Sequence, residues 1–243
     1  MRKNVLITGA ARRIGAACAR LLHERGCNII VHYHCSIAPA LQLCRELNAL
    51  RADSAIAVKA DLTKLSELQN LVDIAQASWQ GVDVLVNNAA QFFPGAVGQV
   101  GESDWDLLIN SNLKAPFFLA QALAPVLTER RGCIINIVDI YAERSLPGYP
   151  VYSITKAGLV AMTQCLAKEL APAVRVNAVA PGAMLWPEQE LEVLQKQQII
   201  DRVALQHIGQ ALDIAQAVSF LIAEADYITG HTLTVDGGRR LFI

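Results

Sequence analysis

Tyr152 and Lys156 are four residues apart in a stretch whose apolar spacing predicts a long amphipathic helix, so both side chains lie on one face. A phenol beside an ammonium is a proton-transfer pair. Tyrosine normally titrates near ~10, too high to exchange protons readily at neutral pH. A neighbouring cation favours the phenolate and draws that value toward the working pH, where general acid–base catalysis is efficient. Asp139 lies thirteen residues before Tyr152, at the end of the apolar run Cys133–Val138. Pro147, Gly148 and Pro150 break the loop between them. A lone Tyr-x-x-x-Lys reads as a surface pair, and Asp139 alone reads as an exposed loop acid. The remainder of the chain decides whether these residues meet.

The elements that must position them alternate. Val5–Ile7 is a short apolar run followed by a turn with Gly9 and Gly15, a helical pattern to Arg25, and a strand Asn28–Tyr33. Such a turn lets the backbone approach a pyrophosphate at the positive end of the next helix. Its spacing is not Gly-x-Gly-x-x-Gly, because Arg13 stands where a further glycine is expected. A cation in a first helical turn is disfavoured by the dipole unless an anion compensates. The pattern continues with a helix from about Pro39 to Leu50, a strand Ala55–Lys59, a helix Lys64–Trp79 and a strand Val82–Asn87. A helix then starts near Ser103 with a kink expected at Pro116. The strand at Cys133, the Tyr152 helix, a strand Val174–Val179, a loose region 181–209, a helix Ala211–Ala223 and a strand Thr232–Val235 follow. Strands separated by helices predict one Rossmann-type α/β domain over 1–243, a doubly wound sheet of about seven parallel strands. Ligands bind such sheets beyond the carboxyl ends of the strands. Thr8–Ile14, Tyr33–Ser36, Asp61-Leu62, Asn88-Ala89, Asp139 and Pro181-Gly182 all fall there. That convergence turns Tyr152 and Lys156 into a candidate site.

Composition narrows the partners. The chain has 243 residues, a net charge of −1 and 53% hydrophobic residues, enough for one large core. A near-neutral balance gives no reason to propose nucleic acid, and no apolar run reaches the length of a membrane span. Met1–Asn4 leads straight into a strand with no room for a signal peptide. The six cysteines show no Cys-x-x-Cys and no metal-ligand spacing. A cytoplasmic protein with reduced thiols and no metal is expected.

An NAD-binding unit places an acid about 20 residues past the glycine turn. Here that region reads His32-Tyr33-His34-Cys35-Ser36, with no carboxylate to repel a 2′-phosphate. Arg12, His34 and Ser36 are candidate phosphate ligands, so NADPH is the expected cofactor.

Together Thr8-Gly9…Gly15, Asp61-Leu62, Asn87-Asn88-Ala89, Asn112, Tyr152-x-x-x-Lys156, Pro181-Gly182 and Thr229-Gly230…Asp236-Gly237-Gly238 resemble the short-chain dehydrogenase/reductase family along nearly the whole chain. The resemblance implies that Tyr152 donates a proton, Lys156 holds the nicotinamide ribose and acidifies the tyrosine, and Asn112 supports the active-site helix and a relay water. It assigns Gly9, Arg12, Arg13, Ile14, Tyr33, His34, Ser36, Asp61, Leu62, Asn88, Ala89, Pro181 and Gly182 to the cofactor, and implies a homotetramer. Most relatives carry serine where Asp139 stands. That change, Arg13, His32-Tyr33-His34 and the aromatic Phe92 look like the pteridine reductase branch, bacterial type. The implied reaction is reduction of a dihydropterin or dihydrofolate. Arg13, Phe92, Asp139, Tyr152, Leu185 and Trp186 would face the substrate, with Phe92 stacked on the pterin ring. Two alternatives stay open: a carbonyl reductase of the 3-oxoacyl-carrier-protein type, and an NADPH-binding regulator without turnover. An ionised Asp139 would oppose the phenolate, so either Lys156 and the oxidised nicotinamide prevail or Asp139 itself holds a proton.

Overall fold

The computed structural model describes residues 3–184 and 192–242. Seven strands, β1 (Asn4–Ile7), β2 (Asn28–Tyr33), β3 (Ala55–Lys59), β4 (Val84–Asn87), β5 (Cys133–Ile137), β6 (Arg175–Pro181) and β7 (Thr232–Val235), form one parallel sheet in the order β3-β2-β1-β4-β5-β6-β7. The helices are α1 (Arg13–Glu24), α2 (Ile37–Leu50), α3 (Leu65–Ala77), α4 (Glu102–Ile109), α5 (Ala115–Glu129), α6 (Pro150–Glu169), α7 (Val193–Ile200) and α8 (Ala211–Ala223). Strands such as Val84-Leu85-Val86 are apolar at successive positions because both faces are covered. On one face α1, α2 and α8 bury Leu22, Leu43 and Leu221; on the other α3 and α5 bury Leu71, Leu119 and Leu123. The chain reverses its order at β1, which lies between β2 and β4, and opens a crevice beyond their carboxyl ends.

Several boundaries differ from the expectation for physical reasons. The α4–α5 distortion is a π turn at Asn110–Lys114, not a kink at Pro116. Pro116 follows that turn directly, at the start of α5. The helix expected to reach Trp79 ends at Ala77, and Trp79 enters the left-handed region at φ 47°. Pro39 falls inside the first turn of α2, so that helix begins at Ile37. β4 begins at Val84 because the Asp83 carboxylate accepts from Asn4 N–H at 2.7 Å and from Arg130 Nε at 2.9 Å. Cys18, Cys27, Cys44 and Cys133 are core residues. Among the described residues, no helix is long and apolar enough to cross a membrane.

Candidate functional site

The turn after β1 is a close-packed backbone cradle. Gly9 has φ +62°, and a Cβ there would stand 3.0 Å from Ala89 Cα. A Cβ on Gly15 would stand 2.5 Å from the Gly9 carbonyl oxygen. Thr8 Oγ1 accepts from Asn88 N–H at 2.9 Å and Ala89 N–H at 3.0 Å, and the Asn88 amide donates to the Thr8 carbonyl at 2.8 Å. Asn88 therefore shapes the turn with its own side chain. Arg13 occupies the missing-glycine position at φ 50°, a left-handed conformation that costs an arginine on the order of 1–2 kcal/mol. Strain of this kind persists where the surroundings fix it, commonly at ligand sites.

In the sequence His32 stands out only as part of the run His32-Tyr33-His34. Its buried ring ties the turn down: Nδ1 accepts from Gly9 N–H at 3.1 Å, and Nε2 lies 3.1 Å from the Ala60 carbonyl. Burial lowers its pKa to about 4, which keeps the ring neutral and Nδ1 free to accept. A cleft of about 390 Å³ opens over the turn, walled by Gly9, Arg12, Arg13, Ile14, His34, Asp61, Leu62, Asn88 and Ala89. These predicted cofactor residues meet in space. Tyr33 and Ser36 do not reach that wall: Tyr33 is packed in the core, and Ser36 stands at the start of α2. The backbone cradle, the α1 N-terminus and two arginines fit a dinucleotide pyrophosphate.

Arg13, Ile14 and Asn88 are shared with a second chamber of about 590 Å³, which also holds Phe92, Asp139, Tyr152, Lys156, Pro181 and Gly182. Within it Tyr152 donates its hydroxyl to Asp139 Oδ2 at 2.7 Å. Asp139 Oδ1 accepts from Tyr141 N–H at 3.0 Å. Lys156 is 3% exposed, donates to the Ile137 carbonyl at 2.9 Å, and lies 5.7 Å from the centre of the Tyr152 ring.

The electrostatics correct one expectation. Lys156 is not the dominant influence on the phenol. Burial, and then the charge and hydrogen bond of Asp139, hold Tyr152 above the usual phenol range. Burial lowers Lys156 to about 8, against the opposing pull of Asp139. Asp139 keeps a strip of contact with the chamber but is otherwise walled by protein. Burial raises its carboxyl above the ordinary range, while the Tyr141 N–H, Tyr152, Lys156 and Arg239 pull it back. This direction is the one that eases proton uptake by Asp139.

Asn112 lies in the π turn, fully enclosed. Its oxygen accepts from Gln91 N–H at 2.8 Å, and its amide donates to the Gln91 carbonyl at 2.9 Å and to Thr155 Oγ1 at 3.3 Å. It joins the loop that carries Phe92 to the helix that carries Tyr152. Phe92 is 55% exposed, meets Tyr152 edge-on at 4.7 Å, and stacks on Tyr149 at 4.6 Å with an interplanar angle of 10°. Sequence reasoning missed Tyr149, although an aromatic three residues before Tyr152 at the helix entry was the available signal. Leu185 and Trp186 lie outside the described residues.

The family profile described as "Enoyl-(Acyl carrier protein) reductase" matches residues 9–240. A 3-oxoacyl-[acyl-carrier-protein] reductase of Staphylococcus epidermidis is 37% identical, covering 98% of this chain and 99% of the relative. Pteridine reductase 1 of Leishmania tarentolae is 36% identical, covering 97% and 96%. A blue fluorescent protein from a metagenomic library, solved in complex with NADPH, superposes with a TM-score of 0.92 at 34% identity, covering 98% of this chain and 97% of that one. With a matching profile over nearly its full length, and with the glycine turn and the Tyr152–Lys156 pair brought to one crevice, the chain belongs to the short-chain dehydrogenase/reductase family.

Proposed function

We propose that the chain is an NADPH-dependent pteridine reductase acting on dihydropterins or dihydrofolate. The 2.7 Å hydrogen bond from Tyr152 to Asp139 carries this reading. A carbonyl reductase gains from a neutral hydroxyl at that position, which donates to the carbonyl oxygen as negative charge develops there. A carboxylate accepts instead, and repels such an oxyanion. Reduction of C=N requires an acid at nitrogen and builds no oxyanion, so a carboxyl–phenol pair suits it.

NADPH, when bound, supplies the hydride to the substrate carbon. Tyr152 gives its proton to the substrate nitrogen, and a protonated Asp139 restores the phenol through the same hydrogen bond, so the C=N bond becomes CH–NH. Lys156 would hold the ribose hydroxyls and keep positive charge beside the phenol ring. Arg12, Arg13 and His34 stand where a 2′-phosphate and pyrophosphate would be met. Phe92 offers an aromatic face for a flat heterocycle, and Asn112 holds its loop in place. The proposal includes a homotetramer packed through the long helices, for which Trp105, Phe117 and Ile154 provide exposed apolar surface on α4, α5 and α6.

A second reading, a carbonyl reductase of the 3-oxoacyl-carrier-protein type, is favoured by overall similarity. The family profile and the S. epidermidis relative carry acyl-carrier-protein names. One percentage point separates that relative from the Leishmania pteridine reductase, so identity alone does not choose. Asp139→Ser tests the choice. We expect dihydropterin turnover to fall by ~10²-fold, the scale of one acid–base group, while turnover of acetoacetyl thioester stays level or rises. Retention of pterin turnover by this variant would sink the assignment.

Acidity gives a further expectation. With Lys156 lowered to about 8, its ammonium is present below that pH and lost above it. The kcat/KM profile, which reports the free enzyme, should therefore fall on an alkaline limb near that value. Lys156→Met should remove the limb; a limb unchanged in that variant contradicts the assignment.

A further inference from the structure

The C-terminal turn reaches back to the acid–phenol pair. Arg239 follows Asp236-Gly237-Gly238 and sends its guanidinium in two directions. Nη1 donates to the Ile199 carbonyl at the end of α7 at 3.3 Å, and Nη2 donates to the Tyr141 hydroxyl at 3.2 Å. Tyr141 belongs to the short 3-10 turn Ile140–Ala142, and its N–H is the one that orients Asp139 Oδ1. The neighbouring Arg240 pairs with Glu143 just beyond the same turn at 3.8 Å. The Asp236 carboxylate fixes the base of the arm by accepting from Gly238 N–H at 2.9 Å and Arg240 N–H at 2.8 Å. The arm is also seated tightly: a Cβ on Gly238 would stand 2.7 Å from Ala204 Cβ, and Leu205 N–H donates to the Gly237 carbonyl at 3.1 Å.

We propose that Arg239 is a positioning residue for the proton donor. By holding the Tyr141 hydroxyl and the end of α7 together, it fixes the turn that aims the Asp139 carboxyl at Tyr152. The route is continuous: Ile199 carbonyl, Arg239, Tyr141, Asp139, Tyr152. A planar fork suits the task because it serves two acceptors at a fixed angle, which a lysine cannot do. The charged and titratable groups facing Asp139 are Tyr152 and Lys156 from α6, Tyr141 from its own turn, and Arg239 from the C-terminal arm. Arg239, like Lys156, is a cation acting on that carboxyl. The end of α7 is thereby coupled to proton delivery through Arg239. This rests on Tyr152 and Asp139 as the proton route and not on whether the substrate is a pterin or a carbonyl.

The test compares Arg239→Met, Arg239→Lys and Tyr141→Phe with the unmodified full chain. Three readouts are needed: steady-state turnover on the substrate the unmodified enzyme prefers, NADPH affinity, and the titration of the Asp139 carboxyl followed by carbon-13 NMR in cofactor-free protein. Arg239→Met should lower kcat by about tenfold with NADPH affinity within about twofold, and move the Asp139 midpoint upward. Arg239→Lys keeps the charge, so it should restore the midpoint but only part of kcat. Tyr141→Phe removes a single hydroxyl and should lower kcat by about threefold. Unchanged kcat and midpoint in Arg239→Met overturn the proposal. So does an equal loss of kcat, NADPH affinity and thermal stability in Arg239→Met and Tyr141→Phe, which is the mark of a merely structural contact. The NMR arm gives its answer even if no pterin is turned over, so failure of the substrate assignment stays distinguishable.

Discussion

Tyr152→Phe should lower kcat by ~10³-fold, toward the upper range for a single acid–base group, with NADPH affinity within about twofold. The substitution removes one oxygen and leaves the ring, so the edge contact with Phe92 at 4.7 Å and the packing of α6 persist. What disappears is the hydroxyl that donates to Asp139 Oδ2 at 2.7 Å. NADPH titration and turnover on the same preparation check the prediction. Retained binding without turnover identifies an enzyme that has lost its proton donor. Retained turnover removes Tyr152 from the chemistry, and absence of turnover in the unmodified protein with NADPH bound points instead to a regulator.

Gly15→Ala should weaken NADPH binding by ~10²-fold or more, equivalent to about 2.7 kcal/mol. The new methyl would meet the Gly9 carbonyl oxygen at 2.5 Å, Asn88 Nδ2 at 2.7 Å and Ala10 Cα at 2.8 Å. Two of those atoms are backbone and the third is anchored by its own hydrogen bonds, so none is a flexible side-chain end that can swing aside. The turn itself must move, and overpacking of this sort costs typically 1–3 kcal/mol. Calorimetric or fluorescence titration with NADPH is the check, with thermal unfolding alongside. Unchanged affinity would place the dinucleotide elsewhere.

Much of the scaffold is legible because local pattern and tertiary environment agree. β2, β3, α8 and β7 have the expected bounds, since their apolar runs end at glycine, polar residues or turns. Asp139, Tyr152 and Lys156 could be brought together on paper because the α/β topology places strand ends and helix starts at one edge. Other features are set by packing between distant segments. The left-handed Arg13, the π turn around Asn112 and the Tyr149–Phe92 stack depend on neighbours far away in the chain. The same holds for the His32 bridge between Gly9 and Ala60. The raised phenol of Tyr152 is of this kind too. Helical spacing shows that a lysine is near, but not that the lysine donates to Ile137 while a buried carboxyl faces the hydroxyl.

The pterin assignment is tested most directly by following NADPH oxidation with dihydrobiopterin, dihydrofolate and acetoacetyl thioester in parallel. The predicted result is a kcat/KM for dihydrobiopterin or dihydrofolate exceeding that for the thioester by ~10²-fold or more, because a site with an acid in place of a neutral donor discriminates by charge and hydrogen bonding rather than size. Preferential turnover of the thioester contradicts it and makes the chain a carbonyl reductase with an acid hydrogen-bonded to its proton donor.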